Sequence, residues 1–81
     1  MTAPVWIRRD IMVVTTDKER DCVLHVQKAL GWAETGELDD GTKSQLRGLQ
    51  ALFGLRTTGY LDLATAEQVE RIREYGSVEG Y

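Results

Sequence analysis

Hydrophobic positions in this chain fall into three separate helical stripes. Between Thr16 and Leu30, the residues Cys22, Val23, Val26, Ala29 and Leu30 recur at three- and four-residue spacing and so share one face. Thr16 followed by Glu19 has the form of a capping box, which predicts a first helix from about Thr16 to Leu30 with Gly31 as its left-handed stop. A second stripe of Leu46, Leu49, Leu52 and Phe53 follows Asp39, whose carboxylate can accept from the backbone amide near Thr42, and Gly54 closes that helix. Asp62 and Thr65 repeat this start, and Ala66, Val69, Ile72 and Tyr75 carry a third stripe on to Gly76. The pattern predicts an all-α fold, a compact three-helix domain.

Ahead of the helices, Val5, Ile7, Ile11, Val13 and Val14 alternate only in part and are mostly β-branched, with Pro4 leading in. This predicts an extended arm containing at most one short strand. An isolated strand is unstable in water, so the arm must lie on the helices, pair with a partner, or stay mobile. A contact with neighbouring subunits through Val5, Trp6, Ile7, Arg8 and Ile11 is the expectation. The organisation is then an arm over residues 1–15, a domain over 16–76 and a tail over 77–81.

One unit occurs twice, offset by 23 positions: Val26/Leu49, Gln27/Gln50, Leu30/Phe53, Gly31/Gly54, Thr35/Thr58, Gly36/Gly59, Leu38/Leu61, Asp39/Asp62, Thr42/Thr65 and Leu46/Val69. Each copy reads as the end of one helix, a glycine stop, a short loop and an aspartate-capped start of the next. Gly36 and Gly59 permit a turn with positive φ, and Leu38 and Leu61 supply an apolar staple. Asp39 and Asp62 satisfy orphan amides, with Thr42 and Thr65 offering a hydroxyl back to them. Thr16, Asp39, Thr42, Asp62 and Thr65 are therefore structural caps.

These junctions resemble those of the peptidoglycan-binding-like domain family, whose members carry an LQ-containing helix and two G-x-hydrophobic-D-x-x-T junctions. Here they stand as Val26-Gln27, Gly36-Glu37-Leu38-Asp39-Asp40-Gly41-Thr42, Leu49-Gln50, Gly54-Leu55 and Gly59-Tyr60-Leu61-Asp62-Leu63-Ala64-Thr65. The resemblance covers about residues 17 to 75 and implies the three-helix fold of that family and binding of bacterial cell wall. Many members have an extra aromatic-glycine step in the first junction. Only Asp40 and Gly41 separate Asp39 from Thr42 here.

Composition narrows the function classes. With 81 residues the chain has room for one core, and 42% hydrophobic with 28% charged residues is ordinary for a globular domain. A net charge of −3 disfavours a nucleic-acid partner, and Arg8, Arg9, Arg71 and Arg73 are too dispersed to reverse that. No apolar run approaches the roughly 20 residues needed to cross a bilayer, so no membrane partner is expected. The first ten residues lack the basic and apolar segments of a signal peptide. A lone cysteine, Cys22, excludes an internal disulfide.

Candidate catalytic chemistry is thin. His25 lies one turn from Asp21 and beside Cys22, but about three or four ligands make a zinc site, and one His with one Cys falls short. Neither a metal nor another cofactor is expected. Asp39, Asp40 and Asp62 are the carboxylates available for glycoside hydrolysis, and two of them are already caps. No catalytic residue is assigned. For ligand binding the candidates are Trp32 and Tyr60 in the two loops, with Arg47 and Arg56 nearby to meet a carboxylate. Trp6 and Tyr81 are further aromatics expected at the surface, while Trp32 has the alternative role of packing over helix ends.

Two functions follow. One is a non-catalytic module that binds peptidoglycan, through its glycan or its stem peptide, at the cell wall. The other is a structural piece of an assembly such as a bacteriophage virion, gripping neighbouring subunits through the arm.

Overall fold

The computed structural model describes residues 4–76, with side chains through position 72. Tyr81, the 77–81 tail and the first three residues of the arm lie outside the described residues, as do the side chains of Arg73 and Tyr75. Three helices follow in order: α1 (Asp17–Leu30), α2 (Asp40–Leu52) and α3 (Leu63–Gly76). No strand is present among the described residues, only an isolated antiparallel bridge between Ile11 and Leu61. No helix among the described residues is long and apolar enough to cross a membrane.

The helix starts obey the sequence. Thr16 accepts from the Glu19 amide and Glu19 reaches back to the Thr16 amide, which completes the capping box. Bonds from the Thr15 amide and hydroxyl, with a smaller contribution from Thr16, hold the Glu19 carboxyl below its usual range. Asp39 accepts from the Thr42 amide at 2.9 Å and Asp62 from the Thr65 amide at 2.8 Å. Gly31 and Gly54 follow α1 and α2 with φ of 72° and 71°.

The core is one cluster that includes Val23 and Val26 of α1, Leu46 of α2, Ala66 and Val69 of α3, and the two loop leucines Leu38 and Leu61. Burying an aliphatic side chain contributes roughly 1.5–3 kcal/mol. Two members come from the arm: Ile7 and Ile11 are buried, nearly as deeply as the helical residues. Ile11 exchanges both backbone bonds with Leu61, at 2.8 and 3.0 Å, and Asp10 Oδ1 accepts from the Leu63 amide at 2.9 Å. The arm is therefore laid on its own helices. Ile7 and Ile11, expected to grip a neighbour, are instead covered within the chain, because two large apolar side chains next to an unfinished core gain more by filling it. The 15/16 boundary does not separate two cores.

The second stripe needs a correction. Thr42, Leu46 and Gln50 form the buried line of α2, spaced by four, and Leu49 flanks it half-buried. Leu52 sits about 200° round the helix from Gln50 and is 77% exposed, and Phe53 beyond it is also exposed rather than inward.

Candidate functional site

The two repeated junctions turn on a residue to which sequence reasoning gave no role. Gln27 lies on the inward stripe of α1 and is fully buried. Its Nε2 donates to Thr35 Oγ1 and Thr42 Oγ1, each at 3.0 Å, and to the Glu37 carbonyl at 3.4 Å, while its Oε1 accepts from the Gly36 amide at 2.9 Å. Gln50 does the same one unit later. Its Nε2 donates to Thr58 Oγ1, the Tyr60 carbonyl and Thr65 Oγ1, and its Oε1 accepts from the Gly59 amide at 2.9 Å.

One primary amide thus ties the loop to both helices it joins. A buried amide is stable only when its donors and acceptor are met, and here they are. The threonine passes the link on: the Thr65 hydroxyl donates to Asp62, and a hydroxyl bond from Thr42 helps hold the Asp39 carboxyl below its usual range after the Thr42 amide, with Thr35 adding a smaller contribution. Gly36 and Gly59 sit where this needs them, with φ of 73° and 77° and side chains packed over them. A methyl group added at Gly36 would come within 2.8 Å of Arg20 Cγ, and at Gly59 within 3.1 Å of Arg47 Nε. The available signal was a polar residue placed on an apolar stripe and identical in both copies.

The ligand candidates are spread around these junctions. Trp32 is half-buried against the core and its amide donates to the Gln27 carbonyl, so much of its ring serves packing. Tyr60 is 37% exposed, next to Gly59 in the α2–α3 loop. Arg47 extends across that glycine, which places its guanidinium beside the Tyr60 segment. Arg56 is exposed. The ring pair among the described residues is Trp6 with His25, so Trp32 and Tyr60 do not form one stacked platform.

A concavity lies elsewhere, between the start of the arm and the first half of α1. It is a groove of about 820 Å³ with Val5, Trp6 and Ile7 on one wall and Cys22 and His25 on the other. A turn from Pro4 to Ile7 shapes it, closed by the Ile7 amide on the Pro4 carbonyl. Cys22 Sγ donates to the Trp6 carbonyl at 3.0 Å, and burial, then the nearby Asp21 and Glu19 carboxylates, push the thiol pKa up and keep the proton that this bond requires. Trp6 stacks on His25 with ring centroids 4.4 Å apart, and His25 Nε2 lies 3.1 Å from Glu70 Oε2 on α3. Trp6, expected at the surface, is half-buried by these contacts.

Among the described residues no group of three or more His, Cys, Asp or Glu side chains could hold a metal ion. What the site offers is shape, aromatic surface and charge. The family model described as "Putative peptidoglycan binding domain" matches residues 23–69, more than half of the 81-residue chain. The chain belongs to the peptidoglycan binding domain family. The matched span begins at Val23 and ends at Val69, so it holds both glutamine-tied junctions and leaves out the arm and Trp6. Searches of curated proteins and of solved structures gave no significant match. Family membership accounts for the three-helix architecture and points, at the level of the family, to peptidoglycan binding.

Proposed function

We propose that this protein is a non-catalytic module that binds bacterial peptidoglycan. The observation that carries the reading is the family match over residues 23–69, in which both junctions keep their glutamine, glycine, leucine, aspartate and threonine. The exposed Tyr60 ring with Arg47 beside it supports a contact face on the α2–α3 loop, since sugar rings pack on aromatic faces and guanidinium groups pair with carboxylates. Arg56 and the uncovered part of Trp32 extend the candidate contacts. The carboxylates Asp39 and Asp62 are engaged as helix caps, which supports a structural role for them.

The test is retention on purified peptidoglycan sacculi after washing, with soluble muropeptide release measured in the same tube. Retention without release is the expected result. A chain that stays in the supernatant at every concentration would sink the reading, and release of muropeptides would refute the non-catalytic half of it.

A further inference from the structure

We propose that the groove between the N-terminal turn and α1 binds a short carboxylate-bearing peptide and, resting on the peptidoglycan reading, that this peptide is the wall's stem peptide rather than its glycan. Arg8, Arg9 and Lys18 line the groove and are exposed. Among the described residues none of the three forms an ion pair within 4.0 Å; Arg20 pairs with Glu37 and His25 with Glu70. Arg8, Arg9 and Lys18 outnumber the two lining carboxylates, Glu19 and Asp21, so the groove has a net positive lining in a chain of net charge −3 and suits a ligand with an excess of anionic groups.

The acidic groups at the groove divide in a useful way. Glu19 accepts from Thr15 and Thr16 and is held in place as an anion, while Asp21 is the exposed lining carboxylate able to meet an ammonium group directly. Val5 is 99% exposed and forms the apolar wall with Trp6 and Ile7. Trp6 also carries the one buried side-chain donor without an acceptor among the described residues, its indole Nε1. At about 820 Å³ the groove is in the size range of a small ligand or short peptide. Stem peptides combine free carboxylates, an ammonium or second amino-acid head, and small apolar side chains. That is the complement of this lining. Nearly all of the lining precedes Val23, so the groove lies almost wholly outside the family-matched span.

The experiment is a titration of the full-length ¹⁵N-labelled chain with the synthetic pentapeptide L-Ala-γ-D-Glu-L-Lys-D-Ala-D-Ala, with its carboxyl-amidated form, with chitotetraose and with inorganic phosphate. The free-acid peptide should shift the amides around Val5–Arg9 and Lys18–His25 and the Trp6 indole resonance, and Arg8→Ala/Arg9→Ala should weaken binding at least roughly ten-fold. Both arginines are exposed, so that variant keeps the fold. Binding of the double variant within about two-fold of wild type would overturn the proposal, as would equal binding of the amidated peptide or of phosphate. Retention on sacculi without groove shifts would sink this inference and leave the family reading, whereas groove shifts without sacculi retention would keep the peptide site and sink the wall reading.

Discussion

The two junctions share one local plan and differ in what covers them. In both, a glutamine at the end of a helix bonds at offsets of 8, 10 and 15 residues to a threonine, a carbonyl and a second threonine. The first junction is closed by a solvent-exposed ion pair, Arg20 to Glu37 at 2.8 Å, with the Arg20 stem against Gly36. The second is closed by the arm: Ile11 bridges to Leu61, and Asp10 supplies an acceptor to the first amide of α3. Leu61 is accordingly 1% exposed against 9% for Leu38. A repeated local code fixes each turn, but long-range partners decide how deeply each turn is buried.

The largest effect should come from breaking the shared part. Gln27→Leu and Gln50→Leu keep volume but remove the partner of a buried glycine amide, a carbonyl and two threonine hydroxyls, and each should lower stability by ~4 kcal/mol in urea unfolding. Near-equal losses would confirm that the copies are energetically equivalent, while a loss at only one would break that equivalence. Ile11→Ala should follow at ~3 kcal/mol, with faster hydrogen exchange at Leu61 and unchanged exchange in the first junction. Uniform loss of protection in both junctions would show that the arm supports the whole core instead of the second turn.

Smaller effects sharpen the first junction. The Asp39 carboxyl titrates below its ordinary value of 3.8, chiefly because it accepts from the Thr42 amide. Its stabilisation is therefore present above that ordinary value and is lost as pH falls through the lower, folded-state pKa. Asp39→Asn should reduce the acid sensitivity of the Tm, with the gap between wild type and variant narrowing below about pH 4. A constant gap from pH 7 to pH 2 would contradict the cap. Arg20→Ala should have the smallest effect, under about 1 kcal/mol and weaker still in high salt, because the pair is half-exposed on both sides.

Much of this was legible in the residues. The three helices, the Thr16, Asp39 and Asp62 caps and the positive-φ glycines are local signals that reach three or four positions along the chain, and the structure keeps them. The family, too, was readable from the order and spacing of the junctions. Less of the candidate site was readable. Tyr60 was identified as a loop aromatic and is exposed, but the groove joins residues 5–11 to residues 16–25, and no local pattern pairs an arm with a helix face. Leu52 and Phe53 looked inward because apolar identity was weighed above angular position on the helix.

By itself, then, the sequence determined where each helix starts and stops, since capping and turn geometry are settled within a few bonds of the residue concerned. Only the tertiary structure decided that a glutamine is the tie in both junctions, that Ile7 and Ile11 belong to the core, and that Arg8, Arg9 and Lys18 gather at one groove. Those outcomes depend on which apolar surface remains uncovered after the helices pack, and that quantity belongs to the whole chain rather than to any segment of it.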